Sequence, residues 1–144
     1  MSIFHYCVAL DIVHPSADPK SISATITGFR TTNETNVGTD RRTQDGMHIE
    51  PRRKAKLTHW AAELHDEERM SSGALKLSAF IRGQLPKLQQ YRDLFLELGQ
   101  EGDVVLRIGW FSDTNHSAEL LDAETIQLCG ELGLGIELNF YGSV

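Results

Sequence analysis

The chain has 144 residues, 40% of them hydrophobic and 24% charged, which excludes the disordered and fibrous classes and allows one packed core without metal or disulfide staples. A formal charge of −6 argues against a nucleic-acid protein, but the charge is uneven. Residues 1–56 carry eight Lys and Arg against six Asp and Glu, or +2, and residues 57–144 carry six against fourteen, or −8.

The first fifteen residues, MSIFHYCVALDIVHP, have neither a basic leader nor a small-residue cleavage site, and His5 and Asp11 interrupt their apolar run. They are read as a strand, not as a signal peptide or membrane span. A single cytoplasmic domain over 1–144 is the expectation. Cys7 and Cys129 lie in apolar periodic segments, so reduced thiols are expected instead of a bridge. In the first strand Phe4, Tyr6, Val8, Leu10 and Ile12 alternate with His5, Cys7, Ala9 and Asp11, and His14-Pro15 ends it. Asp18 then stands as N-cap before Pro19, and a short helix over 19–27 buries Ile22 and Ile26 before Gly28 stops it.

Residues 29–55 are polar and Thr-rich, with turn signals at Gly38 and Asp45-Gly46, and a short strand is expected near 35–42. The basic residues Arg41, Arg42, Arg52, Arg53, Lys54 and Lys56 flank this stretch. KLTHWAAELH resumes a strand, with Trp60, Ala62 and Leu64 on one face and His59, Ala61, Glu63 and His65 on the other. DEERMSSG reads as a polar break.

A long helix follows, in which Leu77, Phe80, Ile81, Leu85, Leu88, Tyr91, Leu94, Phe95 and Leu98 recur at three and four. Pro86 is expected to kink or break it and Gly99 to cap it. DVVLRIGWF is a strand with Val104, Leu106, Ile108 and Trp110 facing one way; Asp122 caps a helix to about Glu131 that Gly133 ends; and LGIELNFYG closes the chain as a strand. One-sided alternation predicts an α+β fold: a mostly antiparallel sheet with its helices on one face, in a ferredoxin-like split arrangement with an extra helix and strand.

The run GWFSDTNHSAELLDAETIQLCGELGLGIELNFYG resembles the bacterial domain-of-unknown-function 4279 family, in which a glycine, a Trp or similar aromatic, Phe-Ser and a polar loop lead into a short apolar piece, a capped helix and a final strand. The N-terminal strand, the DPKSISATITG helix and the polar loop with Gly38 are similar to it as well. The likeness spans Val8 to Gly142 and is strongest over 104–142, whereas the segment 43–56 is longer than the family's pattern. It implies a small bacterial α+β protein without an established reaction. Some bacterial domains of this kind are immunity proteins, and an acidic surface suits that role.

Three groups of residues are candidates for function. Trp110, Ser112, Asp113, Asn115 and His116 form a polar cluster at a strand end. Ser, Asp and His are the types found in hydrolytic triads, but groups so close in sequence do not reach triad geometry easily, and the same types bond their own backbone in turns. The cluster is therefore read as a turn that shapes a surface. On the open sheet face, antiparallel pairing of the first and third strands would bring Asp11 to His59 and His5 to His65, beside Glu63, Arg107 and Glu137. His59 and His65, six residues apart, cannot share a metal ion, and no metal or cofactor motif is present, so no cofactor is expected.

Arg41 and Arg42 lead the third candidate, the basic loop, which could hold an acidic partner. The leading expectation is a non-enzymatic protein-interaction domain with a protein partner and no nucleic acid or membrane, acting through the open face, the 110–116 loop and the basic loop. The alternative is a small enzyme or ligand-binding protein with Asp113, His116 or His59 as acid or base. A homodimer pairing through the final strand is a third expectation.

Overall fold

A computed structural model describes residues 3–36 and 57–142. The strands are β1 (His5–His14), β2 (Arg30–Thr35), β3 (Thr58–Glu63), β4 (Met70–Ser71), β5 (Asp103–Phe111) and β6 (Gly135–Tyr141). The helices are α1 (Pro19–Thr25), α2 (Leu77–Leu88), α3 (Arg92–Leu98) and α4 (Ala123–Glu131). The sheet runs β2-β3-β1-β5-β6, antiparallel throughout except for the parallel pair β5–β6, and β4 pairs the beginning of β1.

β1 and β2, joined through α1, are separated by β3; β3 and β5, joined through α2 and α3, are separated by β1. This is the ferredoxin-like split order, to which α4 and β6 add one parallel strand. The class and arrangement are those the alternation predicts. Tyr6, Val8, Leu10 and Ile12 of β1 and Leu106 and Ile108 of β5 are fully buried. They meet Ile22, Leu77, Phe80, Ile81, Phe95 and Cys129 in one cluster, so all four helices lie on the same side of the sheet.

The caps follow from local sequence. Asp18 accepts from the Lys20 N–H at 3.0 Å with Pro19 at the first helical position, and Asp122 accepts from the Thr125 N–H at 2.8 Å. α2 has no side-chain cap of its own at Lys76; Glu119, 42 residues away, accepts from the Leu77 N–H at 2.8 Å and from the Ser78 N–H. Tyr6 donates its hydroxyl to the Leu75 carbonyl at 2.7 Å, and burial, with the charge of Glu119, pushes its phenol up to about 12.

The Thr125 side chain and amide, with help from Arg82, hold the Asp122 carboxyl below the usual carboxylate range. Its folded-state pKa thus lies below its unfolded one, so the stability it adds is complete above the unfolded value and is lost as pH falls through the folded value. The urea midpoint of the wild type should therefore fall more steeply on acidification through this range than that of Asp122→Ala. Parallel acid limbs would show that the cap contributes nothing.

Several sequence expectations are corrected. β2, at Arg30–Thr35, is a strand the sequence reading does not anticipate; of the strand expected near 35–42 all but the first two residues, with Arg41, Arg42 and the remainder of the basic run to Lys56, lie outside the described residues. The polar break holds β4. α1 ends at Thr25, short of Gly28, with the Ile26 N–H closing on the Ile22 carbonyl. Pro86 stays inside α2, and the break comes three residues later as a 3-10 turn over Gln89–Tyr91. The proline removes one hydrogen bond, but Leu85 and Leu88 remain buried and keep the last turn on the core.

His65 is not on the open face. It turns into the core edge, where its Nε2 accepts from the Val8 N–H at 3.0 Å and its ring meets Phe80 edge-on. The Leu64 N–H donates to the Val8 carbonyl at 3.1 Å, so Leu64 and His65 bridge the gap between β3 and β4 along β1. His5, which pairs with Ser71, does not meet it. Finally, Leu138 and Phe140 of β6, on the helix side by alternation, remain 45% and 68% exposed, because β6 lies at the sheet edge beyond the main core.

Candidate functional site

The residues alternating with the core positions form the second face of the sheet. At its centre Asp11, 6% exposed, is flanked by two cross-strand partners. His59 Nε2 lies 2.5 Å from one carboxylate oxygen and Arg107 Nη1 3.0 Å from the other. The expected approach of Asp11 to His59 is present because β1 pairs β3 antiparallel with Asp11 opposite Ala61 and Val13 opposite His59.

The chain of contacts continues through β2. Its pairing with β3 shifts between Thr31 and Asn33, a bulge that leaves Thr32 as the extra residue. Without it, alternation would send Asn33 to the helix side; with it, Asn33 shares the open face with His59. Asn33 Nδ2 lies 3.0 Å from His59 Nδ1, and the Thr35 hydroxyl donates to Asn33 Oδ1 at 2.7 Å, which fixes the amide orientation. His59 therefore accepts at Nδ1 and donates from Nε2 to Asp11, and both ring nitrogens are engaged. A neighbouring ion pair, Arg30 with Glu63, occupies the same face.

Beside this network lies an open groove of about 460 Å³. Its floor is made by Cys7, Ala9 and Gly109, and Thr32, Glu63, Arg107, Glu137 and Asn139 line it. Gly109 keeps the floor low, since a Cβ there would lie 2.7 Å from Cys7 Sγ and 3.2 Å from the Phe111 ring. One end is walled by a stack in which the Arg69 guanidinium sits 3.7 Å above the Phe111 ring centre and Phe111 stacks on Tyr141 at 4.8 Å. A cation over stacked rings presents charge and flat apolar surface together, the chemistry enriched at binding surfaces.

The 110–116 segment is distributed over two environments. Trp110 is buried on the helix side, stacked on Phe4 at 3.8 Å with its indole N–H donating to Ser117 at 2.8 Å. Ser112 and Thr114 bond each other through their hydroxyls at 3.1 Å, and the Thr114 hydroxyl donates to the His116 carbonyl at 2.9 Å, so the segment closes on itself as a turn. Asp113, Asn115 and His116 are exposed. The Ser112 N–H donates to the Tyr141 carbonyl, which places the turn beside the aromatic end of the groove.

Sequence reasoning thus brings together Asp11, His59, Arg107, Glu63 and Glu137 but misses Asn33 and the Arg69 stack. For Phe111 a signal was available: it follows Trp110 in β5 and so faces the other way. No group of three or more His, Cys, Asp or Glu side chains placed to hold a metal ion occurs among the described residues, and none of their helices is long and apolar enough to cross a membrane. Comparisons with protein-family models, curated proteins and solved structures return no match for this chain.

Proposed function

We propose that the domain is a protein-binding module whose receiving surface is the open sheet face, with the groove between the Asp11 network and the Arg69–Phe111–Tyr141 stack at its centre. The carrying observation is the state of His59. Acid–base catalysis needs a ring nitrogen able to reach a substrate proton, and both nitrogens of His59 are engaged by Asn33 and Asp11. A fixed polar network next to an aromatic wall supports recognition, where rigid groups orient a partner without taking its protons.

The likeness of residues 104–142 to the 4279 family of bacterial domains, together with the −8 charge of residues 57–144, supports an immunity-type role as the specific version. The partner would then be a toxin protein of a competing cell. The basic loop with Arg41 and Arg42 and the 110–116 turn are further surfaces of the same reading. Charge reversal at Arg41 and Arg42 together should weaken binding if that loop takes part.

The test is affinity capture with the tagged chain from lysate of its own source, with and without competing cells. Wild type is compared with a variant carrying Arg69→Glu and Thr32→Arg, and with Glu97→Lys as a helix-side control. A protein retained in proportion to bait by wild type and control, and lost from the double variant, is the expected result. Equal retention by all three, or nothing retained stoichiometrically, overturns the reading.

A further inference from the structure

β6 is the terminal strand of the sheet among the described residues, and its character differs from that of the opposite edge. β2 at the other end is polar, carries Arg30 and Glu34, and is bulged at Thr32, features that discourage edge-to-edge pairing. β6 reads GIELNFY: seven residues with no Lys, Arg or Pro and one charge, Glu137. Its pairing with β5 is unbroken from Gly135 to Tyr141. Leu138, Phe140 and Tyr141 are the exposed large hydrophobic residues on it.

The backbone direction is set by one contact. The Tyr141 carbonyl accepts from the Ser112 N–H, so residue 141 points its backbone groups toward β5. A residue's N–H and C=O point to the same side of a strand and alternate along it, so Glu137 and Asn139 also point inward. Ile136, Leu138 and Phe140 then direct their N–H and C=O groups to the free edge.

We infer that the chain forms a two-fold dimer in which β6 pairs antiparallel with β6 of a second copy, centred on Leu138. The sequence of the strand is self-complementary about that residue. Leu138 meets its own copy in a mutually hydrogen-bonded pair, Ile136 lies opposite Phe140, Glu137 opposite Asn139, and Gly135 opposite Tyr141. All three outward-pointing residues of each copy gain backbone partners, the carboxylate faces an amide instead of a second carboxylate, and a tyrosine ring covers a glycine, a favourable edge pairing. A register centred on Glu137 would set two carboxylates against each other. The axis through Leu138 is perpendicular to the sheet, so it joins five strands from each copy and brings both grooves onto one continuous face.

Such a contact is small, and association in the micromolar range is expected. Sedimentation equilibrium over a rising concentration series should show the mass shift from one chain to two, with Leu138→Lys remaining monomeric over the same series. Leu138 is exposed, so the variant folds; its far-UV circular dichroism checks this. In a Cys7→Ser background, Leu138→Cys should form an intermolecular disulfide on mild oxidation. Phe140→Cys should not, because the register sets its two copies four residues apart, about 14 Å, beyond disulfide reach. A monomer at every concentration overturns the inference, as does a dimer that survives Leu138→Lys or cross-links at Phe140→Cys in preference to Leu138→Cys.

Discussion

Gly102→Ala is expected to destabilise the fold by about 3 kcal/mol, lowering the Tm by roughly 6–12 °C for a chain of this size. Gly102 closes the turn from α3 into β5, its N–H donating to the Leu98 carbonyl at 2.9 Å. A Cβ there would lie 2.3 Å from the Val13 carbonyl oxygen and 3.1 Å from His14 Cα. Those are backbone atoms at the end of β1, held in register opposite Asp103, so they cannot move aside without opening the ladder. Gly83 is the contrasting case: within α2, a Cβ at 83 meets nothing within 4 Å. Gly83→Ala should stabilise by about 1 kcal/mol, through helix propensity and reduced freedom of the unfolded chain. Urea unfolding of both variants tests the pair, and shifts of the same sign would contradict the packing at Gly102.

Asp11→Ala is expected to cost about 2–3 kcal/mol. The carboxylate is nearly inaccessible, whereas His59 and Arg107 each keep about a third of their side-chain surface in water. The loss is therefore set below that for a fully enclosed ion pair, because the released partners can be rehydrated. Asp11→Asn, which keeps one acceptor oxygen, should lose about half as much. A double-mutant cycle with Arg107→Ala should give a coupling of about 1 kcal/mol. If Asp11→Ala shifts the urea midpoint no more than an exposed control such as Glu97→Lys, the network is ornamental and the face is less rigid than described.

What the sequence reveals is what is decided within a few residues. β1 and β5 are legible because their faces differ strongly, Leu10 and Leu106 on one side and Asp11 and Arg107 on the other, and a period of two then assigns every side chain. The Asp18 and Asp122 caps are legible for the same reason. The cap that Glu119 provides for α2 joins residues 42 apart, and nothing near Lys76 announces it. β4 has only two residues, Met70 and Ser71, too few for a periodic signal. His65 is misplaced because alternation is extended past Glu63, where β3 ends and the chain turns inward.

In β6 alternation puts Ile136, Leu138 and Phe140 on the helix side, but burial does not follow from it. Ile136 is partly covered by the core, while Leu138 and Phe140 extend beyond it. Amphipathic pattern reports which side chains share a face, and not whether anything in the same chain covers that face. At the candidate site the half contributed by β1, β3 and β5 is legible and the half contributed by β2 is not, because a polar strand with an irregular register has no pattern to read.

That irregularity bears on how readily this scaffold could change its trade. Were Thr32 drawn into the ladder opposite Ala61, plain alternation along β2 would turn Asn33 to the helix side and away from His59, leaving Nδ1 facing solvent while Asp11 still holds Nε2. An imidazole with one nitrogen on a buried carboxylate and the other free is the arrangement from which general bases are built. The pairing of one residue in β2 therefore separates a His59 with both ring nitrogens engaged from one with a nitrogen available for proton transfer.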